Sequence, residues 1–345
     1  MGKITIGVPI FNEILFLESL ILNLNAIKNE FGELVEVVFV DNCSTDGSKK
    51  YLEEIRDRSL IKSARYIFNT ENQGFNFSCD VLIESSQTDY LWIIGAQDQI
   101  YIDGMTNIIN LIDSLNPELI ICNARMRDES SGQIINESLW GELKTSNFYS
   151  VEDFFRVMGG PCQAVSCNIF RSVDTKFALD SLVISHYWGY FERICDLIKK
   201  NYEDLVITYT DKPSIEILIE ADVVSASGVS LFGRVPRRDY GPFYTSLELA
   251  EIANEKFKSN QEIRSNFTIF RDPFSIPRGF AIARVRGLTY RLIPFIRLFR
   301  AYKSSKTFWV LGLPILLSPK FASLLLVKGK PLIHLIRRIL KIKVF

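Results

Sequence analysis

Four times in the first 125 residues, an apolar run of strand length stops abruptly on polar groups and a helix-like pattern follows. Ile4-Thr5-Ile6-Gly7-Val8-Pro9-Ile10 gives way to Phe11-Asn12-Glu13, and Val35 to Val40 gives way to Asp41-Asn42-Cys43-Ser44-Thr45-Asp46-Gly47. Asn72-Gln73-Gly74 precedes another helical pattern, and Tyr90-Leu91-Trp92-Ile93-Ile94 ends in Gly95-Ala96-Gln97-Asp98-Gln99. Strands are expected at 4–10, 35–41, 64–68, 89–95 and 118–123, with helices at 14–30, 46–57, 75–86 and 103–115. Such alternation implies an α/β fold with a mostly parallel central sheet and helices on both faces. Open sheets of this kind bind ligands outside the carboxyl ends of their strands.

The pattern changes after Arg127. Asp128-Glu129-Ser130-Ser131-Gly132 reads as a turn and 150–158 as a short capped helix. Gly159-Gly160-Pro161 breaks the chain before an expected strand at 164–170. A helix is expected at 187–200, short strands at 205–209 and 215–219, and a helix at 243–260. The division that follows is a domain over 1–220 in two halves (1–125 and 126–220), a helical extension over 221–272 and a tail over 273–345.

Charge sets the tail apart. Overall the chain is formally neutral, yet residues 273–345 hold 15 Lys and Arg and no Asp or Glu, leaving −15 on the rest. Residues 332–345 read as a cationic amphipathic helix, the kind that lies in a membrane interface and is drawn to anionic lipid. A packed cap and a shallow hairpin are the other readings. The apolar runs 308–317 and 321–327 fall short of the roughly 20 residues of a spanning helix. Interleaved Leu, Ile and Phe suit lipid better than phosphate, so nucleic acid is not an expected partner. Six cysteines without a Cys-x-x-Cys pair, and two histidines, argue for reduced buried thiols rather than zinc. Met1-Gly2-Lys3 leads straight into a strand without a signal-peptide pattern. The expected location is cytoplasmic, peripheral on the inner face of the cell membrane.

The acid that ends the second strand is the sharpest chemical feature. A carboxylate at a strand's carboxyl end can accept from a nucleobase N–H or a ribose hydroxyl. Ser44 and Thr45 can cap the following helix, whose free N–H groups favour anions. The plain alternative is a strand–turn–helix joint with a good cap.

In this order the motifs resemble family 2 glycosyltransferases of the GT-A fold, well over residues 3–125 and loosely over 150–220. The resemblance makes 1–125 the nucleotide-sugar half and 126–220 the acceptor half. It implies that Pro9, Phe11, Asn12 and Glu13 line the nucleotide pocket and that Asp41 bonds the base or ribose, with Asn42 and Ser44 beside it. Asn72 and Gly74 match the family's Asn-x-Gly turn. Gln97 and Asp98 fall in its acidic motif, with Asp98, aligned on the following Ile100, at the position that ligates Mg²⁺ or Mn²⁺. Neutral Gln97 and Gln99 replace further acids and weaken ion affinity. Phe11 can also be read as a core aromatic, and Asn72-Gly74 as an ordinary tight turn.

Inverting members place a general base at the start of a helix after the acceptor loop. The candidates are Asp180, His186 and Glu192; the last reads equally as a solvated helix charge. Residues 180–193 and Trp92-Ile93-Ile94-Gly95 also resemble O-antigen deoxyhexose transferases of the abequosyltransferase kind, and Gly159, Gly160 and Gln163 would form the acceptor loop. The implied function is transfer of a sugar from a nucleotide-sugar donor to a lipid-linked acceptor of bacterial surface polysaccharide. A nucleotidyltransferase and a catalytically impaired, membrane-associated nucleotide-sugar-binding protein are the alternatives.

Overall fold

In the computed structural model, the described residues are 2–140, 147–162, 164–176, 189–202, 205–219 and 242–266, with 296, 299–302, 309 and 313–317. The chain divides into two compact units, one of residues 1–154 and 161–218, the other of 155–160 and 219–345.

The first unit starts with β1 (Ile4–Ile10), α1 (Ile14–Phe31), β2 (Val35–Asp41), α2 (Ser48–Asp57), β3 (Arg65–Phe68), α3 (Phe75–Ser85) and β4 (Tyr90–Ile93). Neighbouring residues in β1 and β2 are buried whichever way they point: Ile4, Ile6 and Val8 on one parity, Thr5 on the other, all at 0 % exposure. This is the signature of parallel strands covered on both faces. Ile10 pairs with Asp41, Asp41 with Phe68, and Gly7 with Ile93, all in parallel register. The strands therefore end close to one line.

Strand order is β3-β2-β1-β4. The chain steps outward from β1 to β3 and then jumps back to the other side of β1. Because parallel crossovers are right-handed, this reversal puts α1 and α3 on opposite faces. It also makes the gap between the ends of β1 and β4 a topological switch point, where such sheets bind ligands.

Beyond β4 the sheet turns antiparallel. The elements are β5 (Gln99–Ile100), α4 (Ile102–Leu115), β6 (Leu119–Asp128), β7 (Ile134–Asn136), β8 (Asn147–Phe148), α5 (Val151–Met158), β9 (Asn168–Arg171), α6 (Ser172–Lys176), α7 (Gly189–Lys200) and β10 (Ile207–Ile219). β9 runs against both β4 and β6, and β10 against β5 and β8. Three expectations change here. The strand at 164–170 is a 3₁₀ turn, Val165–Cys167, followed by β9, because the buried Asn168 amide donates to Cys162 O and Ala164 O and folds the chain back. The strands at 205–209 and 215–219 are one strand, β10. Pro213 fits within it because pairing to β8 is held at residues 207–208 and pairing to β5 at 215–216. β6 runs to Asp128 because Arg125 and Arg127 are paired with Glu137 and Glu216.

In the second unit, helices Pro242–Lys256 and Gln261–Asn266 replace one expected helix. Leu249, Ile252, Ala253, Phe257 and Ile263 are buried there, and Phe257 packs edge-on to Phe155 at 5.0 Å. The tail helix at 332–345 lies outside the described residues.

Candidate active site

The loops after β1 and β2 are tied to each other before any ligand arrives. Asn12 N–H donates to Ser44 Oγ at 3.0 Å, and Asn12 Oδ1 accepts from Thr45 N–H at 2.8 Å. Glu13 N–H donates to Ser48 Oγ and Ile14 N–H to Asp46 Oδ2, both at 3.0 Å. Residues of the second loop thus cap the first turn of α1, satisfying donors that a helix start leaves over. Burial pushes the Asp46 carboxyl up, but the hydrogen bonds from Ser48 and Ile14 outweigh it and hold it below its usual range. Asn12 and Cys43 adopt left-handed backbone, φ 58° and 63°, which is what turns these loops back on themselves.

Asn42 connects this pair to the third loop. Its Nδ2 donates to Asn72 Oδ1 at 2.8 Å and to Gly74 O at 3.2 Å. Its Oδ1 accepts from Asn69 Nδ2 and Gln73 N–H, both at 3.2 Å. All four hydrogen-bonding positions of that amide are filled. Asn42 therefore shapes the rim instead of presenting free groups, and Asn72 Oδ1 joins it by accepting from Asn42 Nδ2 and Gly74 N–H. Gly74, at φ 87°, borders open space where a side chain would stand.

Asp41 is different. It is 0 % exposed; Oδ2 accepts from Ser44 N–H at 3.1 Å, and Oδ1 has no hydrogen-bond partner. An unpaired buried carboxylate oxygen is costly unless something arrives to donate to it. Phe11, on the adjoining loop, is 43 % exposed, so it is not a core aromatic. An exposed ring beside an unsatisfied acceptor suits a planar heterocycle with N–H donors.

At the end of β4 the second acid is gripped rather than presented. Asp98 Oδ2 accepts from Gly95 N–H at 3.0 Å and from Ser166 O–H, and the Ser166 carbonyl accepts from Trp92 Nε1 at 2.8 Å. Burial pushes the Asp98 carboxyl up to about 6, against the opposing hydrogen bonds from Ser166, Gly95 and Leu218. Its neighbour Gln97 donates Nε2 to Leu218 O at 2.9 Å. Asp98 and Gln97 thus brace the turn across to β10 and the 3₁₀ turn. Sequence reading missed Ser166; its one signal was a lone hydroxyl in the apolar run Ala164 to Phe170.

Pro9, Phe11, Asn12, Glu13, Asp41, Asn42, Ser44, Asn72 and Gly74 gather around the ends of β1 and β2, and Gln97 and Asp98 stand at the end of β4. Asp180, His186 and Gln163 lie outside the described residues. Glu192 sits in the first turn of α7 at 1 % exposure and is engaged within the fold, so it is not a solvated helix charge.

Residues 5–175, which hold the whole strand-end line, match the sequence profile of Glycosyl transferase family 2. The chain carries a family 2 glycosyltransferase domain. Membership sets aside the nucleotidyltransferase alternative. A curated relative, abequosyltransferase RfbV of Salmonella typhimurium, is 27 % identical over 124 residues. That stretch is 35 % of this chain and 36 % of the relative, so the match spans about a third of that protein's length.

Solved glycosyltransferases share the fold. S. aureus TarS 1-349 in complex with UDP-GlcNAc aligns with TM-score 0.56 at 16 % identity, covering 95 % of this chain and 88 % of that one. The mannosyltransferase PcManGT from Pyrobaculum calidifontis, in complex with GDP-Man and Mn2+, aligns with TM-score 0.51 at 14 % identity, covering 96 % and 87 %.

The family's divalent ion finds no preformed site among the described residues. No group of three or more His, Cys, Asp or Glu is placed to hold one. Asp98, the expected ligand, is braced at Oδ2 by Gly95 and Ser166, and its Oδ1, like that of Asp41, is buried without a partner. Among the described residues, no helix is long and apolar enough to cross a membrane.

Proposed function

We propose that this chain transfers one sugar, with inversion at the anomeric carbon, from a nucleotide-sugar donor to a lipid-linked saccharide of a bacterial surface polysaccharide. The observation that carries the donor half is the buried, unpartnered Asp41 Oδ1 beside the exposed Phe11. In this reading Oδ1 accepts an N–H or O–H of the base or ribose, Phe11 covers the base, and the Asn42–Asn72–Gly74 rim lets the nucleotide approach the backbone closely. The diphosphate and sugar then extend across the switch point toward the turn braced by Asp98.

Chemistry at the anomeric carbon requires the acceptor hydroxyl to lose its proton as it attacks. A carboxylate or imidazole near the start of α7, from among Asp180, His186 and Glu192, is assigned that task. The relative that transfers abequose, and neighbours bound to UDP-GlcNAc and GDP-Man, support a sugar nucleotide as donor. The lipid-borne acceptor is supported by the 15 cationic residues and the apolar runs of 273–345, which suit an anionic membrane surface.

The test is purified protein with radiolabelled UDP-, GDP-, CDP- and dTDP-sugars and membrane lipid extract. Label moving into the lipid fraction, and its loss in Asp41→Ala, is the expected result. Nucleotide-sugar binding with no transfer to any acceptor would favour the catalytically impaired reading, and no binding at all would overturn both.

A further inference from the structure

α3 and α7 are docked side by side through a two-rung polar ladder. Asn76 Oδ1 accepts from Gly189 N–H at 3.2 Å, and one helical turn further along both helices Asp80 Oδ1 accepts from Arg193 Nε at 2.7 Å. Four residues separate the rungs in the same direction on each helix, so the two helices run parallel and begin at the same end. Arg193 is 3 % exposed along its side chain and Asp80 31 %, so the second rung is partly shielded from salt. Phe75 and Tyr190 add an edge-to-face contact at 6.1 Å beside the first rung.

The first rung depends on Gly189 having no side chain. A Cβ there would stand 2.8 Å from Asn76 Cγ and 3.0 Å from its Nδ2. Any other residue would have to displace either the Asn76 amide or the start of α7. The contact is consequential because of what each helix carries. α3 begins directly after Gly74, whose carbonyl is held by Asn42 on the donor rim. α7 carries Glu192 in its first turn.

We propose that Asn76 and Gly189 are positioning residues that set the register between the donor loop and the helix of the acceptor-deprotonating group. This inference rests on the glycosyl-transfer reading above. Neither residue touches the reacting atoms; the Asn76–Gly189 bond fixes where α7 starts relative to the bound donor. A misplacement of about 1 Å at the reacting centre costs on the order of a hundredfold in rate, while donor binding at β1 and β2 is left alone.

The test compares Asn76→Leu, which keeps the branching of the side chain but removes the acceptor, with Asn76→Asp, which keeps it. The donor is whichever of UDP-, GDP-, CDP- and dTDP-glucose gives the largest thermal shift, with membrane lipid extract as acceptor. Asn76→Leu and Gly189→Ala should lower kcat by about tenfold to a hundredfold with donor KM within about twofold, and Asn76→Asp should stay near wild type. Equal losses in Asn76→Leu and Asn76→Asp, or wild-type kcat in Asn76→Leu, would overturn the proposal. Hydrogen exchange gives an arm independent of turnover. Amides of residues 189–193 should exchange faster in Asn76→Leu than in Asn76→Asp or wild type, and identical protection in all three refutes the contact. A wild-type protein that turns over no donor counts against the glycosyl-transfer reading, and the exchange data then still decide whether the bond exists.

Discussion

The ends of β2 and β4 each carry a buried aspartate with one unpartnered oxygen, and the two are held in opposite ways. Asp41 leans on a single backbone N–H, from Ser44, while its loop spends its other polar groups on neighbouring loops. Asp98 is clasped by Gly95 and Ser166 at Oδ2, with Gln97 fastened to Leu218 alongside. The lesson is that a carboxylate at a strand end is not by itself a ligand group. What distinguishes the two is the second donor: Asp41 Oδ2 is held from its own turn alone, whereas Asp98 Oδ2 also accepts from a hydroxyl 68 residues away.

The largest expected effect concerns Asp98. Its folded carboxyl titrates at about 6, above its ordinary 3.8, because burial disfavours the charge. The folded state then holds a proton that the unfolded chain has already lost, so stability falls as pH rises from about 4 through 6. Denaturant titrations across that range should show wild type losing on the order of 3 kcal/mol relative to Asp98→Asn. A difference independent of pH would mean that Asp98 is not the buried brace described.

Next comes the rim. Asn42→Ala leaves partners on Asn72, Gly74, Gln73 and Asn69 unpaired, at a cost of about 2 kcal/mol in stability by chemical denaturation. A neutral outcome would show that the loops hold themselves without the hub, erasing the contrast between a tied rim and a free Asp41. The smallest effect is at Phe11. Because the ring is exposed, Phe11→Ala should leave the melting temperature unchanged and weaken donor binding by about 1 kcal/mol, roughly fivefold, by calorimetry.

The parallel half of the sheet was legible in the sequence because β1, β2 and β4 are apolar on both parities and stop on polar residues. Asp41 could be singled out from its position alone. The antiparallel half was harder. Lys212-Pro213 looks like a turn but lies inside β10, and the fold-back at 162–168 depends on the Asn168 amide, a tertiary fact. The bracing of Asp98 was not legible for the same reason: Ser166 lies 68 residues away, and no local pattern announces their bond. Glu192 read equally as a base candidate and as a solvated helix charge because a helix's polar positions do not reveal which neighbour covers them.

The most direct test of the account is calorimetric titration of the preferred sugar nucleotide into wild type, Asp41→Asn and Asp98→Asn, side by side and without added divalent ion. Loss of a hydrogen bond to a charged group should weaken binding by Asp41→Asn by about 2 kcal/mol, near thirtyfold, with Asp98→Asn within about threefold of wild type. Undiminished affinity in Asp41→Asn, with the loss falling on Asp98→Asn instead, would contradict it.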